Sequence, residues 1–479
     1  LPPEPTAQQQ CERLRDKSLD GARITGATLI AAASPLPEYC KVTGGLAPSL
    51  QFEVRLPTGW NGRAVYAGGG GFNGSITPSD DHLRRGYAAI ASDGGHTGDV
   101  LDGSFALDPE KRADFADRSI HRVLPFAKTL IHERYGKNAE KTYFEGCSNG
   151  GREALIEAQR WPEDFDGIIA RAPAYNFVEL LIAFNQNSQQ LAKPGASLSD
   201  ARLATLGKAV LDACDAQDGL ADGILSRPND CQFDPGTLQC TGADQDTCLT
   251  AEQVASVRKI YSPTRLDGAV INEAWPRGGE ADPLGWSAWM TGNGNPAQSA
   301  SGLFGLGLVR YFITRDPNYD PLAFVPEQWS ARIAEVSAQV SARSADLSRF
   351  RARGGKLILW HGGTDAAISL KGSDAYYQRV VTAAGGQAAA DTFVEYFQAP
   401  GVNHCEGGAG ADAVDLLSAL EGWVEQGIAP SSARLVATKT DRTTGTQLLS
   451  RPLCKYPRYP RYTGQGDPNA AASFTCVEP

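Results

Sequence analysis

The sequence predicts an α/β fold: a mostly parallel sheet covered by helices on both faces and interrupted by one large insertion. Two observations carry this. Short apolar strands alternate with helix-length segments through residue 174 and again over 346–479. Strands that read as continuous apolar runs between helices belong to parallel sheets buried on both faces. Between these stretches, residues 175–345 lose the rhythm and hold Trp275, Trp286, Trp289, Trp329 and four cysteines. Three segments follow: a first core part (1–174), an inserted lid (175–345) and a second core part (346–479). Irregular, aromatic insertions of this kind close over apolar pockets.

The elements follow in order. Residues 1–50 read as loop-rich, pinned by Cys11–Cys40. Gln51–Leu56 alternates and reads as a strand, followed by strands at Arg63–Tyr66 and Tyr87–Ala91. Ile120, Val123, Leu124, Ala127, Leu130 and Ile131 recur at helical spacing, which predicts an amphipathic helix over 117–135. Lys141–Phe144 is a strand, Arg152–Arg160 a helix and Gly167–Ala170 another buried strand. After the insertion come a strand from Lys356, a helix over 373–384, a strand from Thr392 and a last helix over 411–426. The Pro- and Tyr-rich tail reads as tied down by Cys454–Cys476.

Composition narrows the function classes. The chain has 479 residues, 42% of them hydrophobic, and a net charge of -10. An acidic chain is a poor ligand for nucleic acid or anionic membranes. No apolar run approaches a membrane span of about 18 residues. The Pro-rich opening from Leu1 to Pro5 reads as a mature chain whose targeting segment is gone. Ten cysteines without a C-x-x-C pair speak against zinc and for an oxidising compartment, secreted or periplasmic. Many pairings are open. Local spacing favours Cys11–Cys40, Cys214–Cys231, Cys240–Cys248 and Cys454–Cys476, which leaves Cys147 and Cys405.

Gly146-Cys147-Ser148-Asn149-Gly150-Gly151 lies between a strand and a helix. That setting turns G-x-S-x-G into a nucleophile elbow, where a serine stands on a strained turn and glycines leave room for neighbouring backbone. An ordinary Gly-rich turn is the alternative. Asp365 and His404 each follow a strand, so Ser148, Asp365 and His404 occur in the order of an α/β-hydrolase triad. His404 would take the serine proton and Asp365 would fix its tautomer. Asp391 is a weaker rival for the acid. His361 reads as pocket-lining or structural, and His96 as a structural loop residue. If Ser148 and His404 meet, their neighbours Cys147 and Cys405 lie close enough to bridge. Two free cysteines are the alternative.

Gly68 to Gly71 follow a strand and resemble the loop that supplies the other oxyanion N–H in α/β-hydrolases. Asn73-Gly74-Ser75 is formally a glycosylation sequon in a loop too tight to favour it. Cys214 to Ile224 packs Asp215, Asp218 and Asp222 with two glycines, which suits a hard cation; a plain acidic turn is the alternative.

These motifs, with His361-Gly362-Gly363-Thr364-Asp365 and Asn403-His404-Cys405, make the chain resemble the tannase and feruloyl esterase family over nearly its whole length. The resemblance implies a lidded α/β-hydrolase, a Cys147–Cys405 bridge and a structural calcium in the lid. The calcium would be held by Asp215, Asp218, Asp222 and the carbonyls of Leu220 and Ile224. The oxyanion donors would be the N–H groups of Gly71 and Asn149. The family hydrolyses esters of aromatic acids: gallates, hydroxycinnamates and, in a similar branch, the terephthalate monoester MHET. That branch holds the free carboxylate with a lid arginine, and Ser299 falls there in this chain. Trp289, Leu303, Phe304, Phe312, Ser299 and His361 are the expected pocket residues. Losing a bidentate arginine argues against a strong MHET preference. The expectation is a feruloyl or related aromatic-ester esterase, with MHET hydrolase or galloyl esterase as alternatives. A non-catalytic calcium-stabilised binding protein is the alternative from another class. A monomer or dimer is expected.

Overall fold

A computed structural model describes residues 4–479; Leu1 to Pro3, at the head of the Pro-rich opening, lie outside the described residues. Nine strands form one sheet: β1 (Ala22–Ile30), β2 (Tyr39–Leu46), β3 (Leu50–Pro57), β4 (Arg63–Ala67), β5 (Ala88–Ser92), β6 (Lys141–Cys147), β7 (Gly167–Arg171), β8 (Lys356–Gly362) and β9 (Val394–Ala399). Their spatial order is β1-β2-β3-β5-β4-β6-β7-β8-β9. The pairings from β5 through β4, β6, β7 and β8 to β9 are parallel. The β1–β2, β2–β3 and β3–β5 pairings are antiparallel.

Residues 22–46 correct the loop-rich expectation for the first fifty residues. They form two antiparallel strands, with Cys11 tied to Cys40 on β2. In β1 half-buried and exposed positions alternate but only Ala27 is buried, so the strand has little buried apolar surface of its own. Hydrogen bonding to β2 sets the strand instead.

The period of two along the central strands builds two cores. Ala64, Tyr66, Phe144, Leu357 and Leu359 face one side with the helix Ser119–Tyr135. Val65, Tyr143, Ile358 and Trp360 face the other, against Leu416, Leu417, Leu420 and Trp423 of the helix Leu416–Gln426. Residues 172–355 add no strand to this sheet. They carry the helices Phe177–Leu191, Asp200–Cys214, Ala251–Ile260, Ala300–Gly307 and Ser330–Val340, plus a two-stranded hairpin. Their apolar cluster also takes in Phe72, Phe115 and Ala366 to Ile368 from the sheet-bearing part. The insertion therefore shares a core with the loops that leave the carboxyl edge of the sheet.

Candidate active site

The elbow is built by backbone. β6 ends at Cys147, Ser148 adopts φ 64° and ψ -121°, and a helix starts at Asn149 and runs to Arg160. A non-glycine residue at that φ is strained and persists because its surroundings hold it. The Ser148 N–H donates to the Arg171 carbonyl (3.1 Å), and its own carbonyl accepts from Arg152 (3.0 Å) and Ala174 (3.1 Å). A Cβ on Gly150 would sit 2.7 Å from the Gly69 carbonyl, so only glycine lets the glycine loop lie against the helix start. Asn149 is the first residue of that helix, where an N–H has no intrahelical acceptor. Gly71, at φ 52°, lies beside the Phe304 ring.

Asp365 and His404 come from the ends of the neighbouring parallel strands β8 and β9. His404 Nδ1 donates to Asp365 Oδ2 at 2.8 Å, which leaves Nε2 as the acceptor of the ring. Asp365 Oδ1 accepts from the N–H groups of Ala367 (2.8 Å) and Ile368 (2.9 Å). Burial by itself would raise the Asp365 carboxyl, but His404 and His361 outweigh it and hold the group below the usual carboxylate range. The rival Asp391 is paired with Lys455 (2.7 Å).

The Cys147–Cys405 disulfide, with Cα atoms 6.1 Å apart, fastens the elbow to the histidine loop. The four local pairs also form: Cys11–Cys40, Cys214–Cys231, Cys240–Cys248 and Cys454–Cys476.

The expected pocket residues separate into two groups. Trp289 stands edge-on to His404, with ring centroids 4.9 Å apart, and stacks toward Phe304 at 6.4 Å. Leu303 is half-buried on the same short helix as Phe304. Phe312 and Ser299 need correction, and of the two readings of His361 the pocket-lining one is replaced by the structural one. Phe312 is fully buried and stacks on Phe72, so it is core rather than wall. Ser299 caps the helix Ala300–Gly307: its hydroxyl accepts from Gly302 (3.1 Å) and donates to Pro296 O (2.7 Å). Helix-capping chemistry thus accounts for the serine and consumes its hydrogen bonds. His361 is wholly buried, with Nδ1 against Ser373 Oγ (2.7 Å) and Nε2 against Asp365 Oδ2 (3.0 Å). It supports the acid from behind. His96 is buried as well, stacked on Phe105 at 3.6 Å.

In the acidic loop, Asp215 Oδ2 accepts from Gly223 (2.7 Å), Asp218 from Leu220 (3.1 Å) and Ser226 (3.2 Å), and Asp222 from Ile224 (3.1 Å). Asp222 also pairs with Arg451 at 2.7 Å. Asp215 Oδ1 is buried without a partner. Burial raises the Asp215 and Asp218 carboxyls. Among the described residues, no three His, Cys, Asp or Glu side chains converge as a metal cluster.

Three supporting residues carry no sequence signal. Asp282, from the insertion, accepts from the Asn403 amide (2.7 Å), which also donates to Thr364 (2.9 Å) when oriented to satisfy its neighbours. This ties the insertion to the residues just before Asp365 and His404. Asn73 and Glu153 join the glycine loop to the elbow helix. Their partners lie some eighty positions apart, a distance no periodicity reports.

A sequence profile for tannase and feruloyl esterase matches residues 34–477. The chain belongs to the tannase and feruloyl esterase family. It is 35% identical to a mono(2-hydroxyethyl) terephthalate hydrolase of Piscinibacter sakaiensis, over 98% of this chain and 92% of that protein. It is 34% identical to a probable feruloyl esterase of Arthroderma benhamiae, over 88% and 81% of the two chains. The solved structure of feruloyl esterase B from Aspergillus oryzae superimposes with a TM-score of 0.88 at 26% identity, covering 98% of this chain and all of that one. As a tannase-family protein, the chain is a carboxylic ester hydrolase, and its substrates are esters. No helix among the described residues is long and apolar enough to cross a membrane.

Proposed function

We propose that this protein is a serine carboxylesterase for esters of aromatic acids, working through an acyl-enzyme on Ser148. The observation that carries the reading is the Asp365–His404 hydrogen bond fastened by Cys147–Cys405 to a serine at φ 64°. Ser148 Oγ attacks the ester carbonyl carbon while its proton passes to His404 Nε2. The alcohol leaves with that proton. Water then attacks the acyl-enzyme with His404 as base, releases the aromatic acid and restores Ser148. Asp365 stabilises the imidazolium in both halves. The N–H groups of Gly71 and Asn149 face the developing oxyanion, an arrangement worth about 3 kcal/mol per donor in comparable hydrolases. Trp289 and Phe304 supply flat apolar surface for the acid, and residues 175–345 act as the lid.

Among acids, a feruloyl-type group fits better than a terephthalate monoester. Ser299 stands where the arginine would fall and is spent on a helix cap, and the Arg310 guanidinium is held at the Tyr319 carbonyl through Nε (2.9 Å). The Piscinibacter relative favours the second reading, terephthalate monoester hydrolysis. Turnover of methyl ferulate, methyl gallate and MHET by wild type and Ser148→Ala tests both levels. The expectation is hydrolysis of methyl ferulate above MHET, and none by Ser148→Ala; equal rates from the two proteins would overturn the serine mechanism.

Two further readings complete the proposal. The acidic loop would hold a structural calcium through Asp215, Asp218, Asp222 and the carbonyls of Leu220 and Ile224, with the three carboxylates turning from their backbone donors onto the ion. The all-oxygen donor set and the buried, unpartnered Asp215 Oδ1 support it. The ion would cross-link the loop and takes no part in the chemistry. The protein works outside the cytoplasm, secreted or periplasmic, which five disulfides favour.

A further inference from the structure

A chain of buried polar side chains runs beneath the elbow. Arg152 Nε donates to Asn149 Oδ1 (2.7 Å), Asn149 Nδ2 to Asn73 Oδ1 (2.5 Å), and Asn73 Nδ2 to Glu153 Oε1 (2.8 Å). The other carboxylate oxygen of Glu153 accepts from the Gly69 backbone N–H at 2.8 Å. All four side chains are at least nine-tenths buried. Every bond points the same way, from a guanidinium to a carboxylate, so each polarises the next. The rest of Arg152 is anchored on the carbonyls of Phe115 (2.9 Å), Ala116 (2.7 Å) and Val340 (2.9 Å).

The chain brackets the glycine loop. Gly69 and Asn73, the two loop residues Glu153 grips, stand on either side of Gly71. Asn73 sits at φ 52° and its N–H closes on the Gly70 carbonyl at 2.7 Å. The far end of the bracket is Asn149, the residue that would carry the second donor. One helix thus presents one oxyanion N–H and fixes the loop that presents the other.

We propose that Glu153 is a positioning residue for the oxyanion hole, acting through Gly69 and Asn73 on the Gly71 N–H. The proposal rests on reading Ser148 as the nucleophile and Gly71 as a donor. A carboxylate is required because every group facing it is a donor: the Gly69 N–H and the Asn73 amide, with the Asn149 amide also reaching Oε1 at 3.4 Å. In Glu153→Gln the amide NH2 must meet one of them, so one bond is lost and the loop is freed.

The test compares kcat and KM of wild type and Glu153→Gln on methyl ferulate and on its thionoester, in which sulfur replaces the carbonyl oxygen. Sulfur is a larger, weaker acceptor, so a well-formed hole favours the oxyester and a loosened one favours it less. Glu153→Gln should lose roughly 10- to 100-fold in kcat with KM nearly unchanged, and its oxyester-to-thionoester ratio should fall. A kcat loss with the wild-type ratio would reduce Glu153 to a structural role and overturn the proposal, as would an unchanged kcat. If Glu153→Gln does not fold, Asn73→Gly carries the test: glycine accepts the positive φ and removes the side-chain links to Glu153 and Asn149, and the same two results decide. Activity remaining in Ser148→Ala would instead sink the serine-esterase reading itself.

Discussion

Replacing Cys147 and Cys405 together by alanine separates the covalent tie of the active site from its hydrogen bonds. The two residues are 258 positions apart. Chain-entropy loss for a loop of that length corresponds to about 5.5 kcal/mol at 25 °C. The smaller bridges inside the loop span 17 and 8 residues, and because the dependence is logarithmic they barely change this. Cys405 sits at φ 66°, a cost that alanine shares with cysteine and that cancels in the comparison. The Asp365–His404 bond and the Asn403 contacts survive, so the histidine loop keeps its local form but loses its fixed distance from the elbow. Urea unfolding of the non-reduced proteins should show a loss approaching that figure, and methyl ferulate kcat should fall at least about tenfold, as misplacement by about an ångström does elsewhere. An unchanged urea midpoint with unchanged kcat would refute the reasoning, because the bridge would then neither restrict the unfolded chain nor place the base.

Asp365→Asn should lower kcat by about 10⁴ with the fold intact, since a carboxamide N–H facing His404 Nδ1 selects the wrong tautomer; circular dichroism and steady-state kinetics check it. Burial, with Lys111 nearby, pushes His96 down from 6.5 to about 4. The folded state therefore binds fewer protons than the unfolded chain. Stability falls as pH drops through 6.5, and the penalty of about 3 kcal/mol is complete below pH 4. His96→Phe should flatten that part of a urea-midpoint profile between pH 7 and 4. Chelation should lower Tm and added calcium, but not magnesium, should restore it; Asp215→Asn should abolish the response, and a Tm indifferent to chelator would remove the calcium reading.

Much of the site could be read along the chain because its chemistry is local. The glycines around Ser148, the strand before Asp365 and the strand before His404 are each set by a few neighbouring residues. The short-range cysteine spacings, with Cys147 and Cys405 left over, pointed to all five bridges. Sequence by itself therefore determined the α/β rhythm and the chain order of Ser148, Asp365 and His404, and favoured the four local bridges with Cys147 and Cys405 left over. Contacts between distant segments were out of its reach. Phe312 reads as a pocket wall in the sequence, and only its stacking with Phe72 places it in the core. His361 and Ser299 offered polar groups whose use depends on what lies opposite: Asp365 and Ser373 for one, a helix start for the other. The edge strand β1 buries only Ala27, so its place was set by pairing with β2 rather than by a buried apolar face. Glu153 belongs to no motif in the sequence. Only the packing of the glycine loop onto the elbow helix buried it, and burial is what makes its hydrogen bonds from Gly69, Asn73 and Asn149 obligatory.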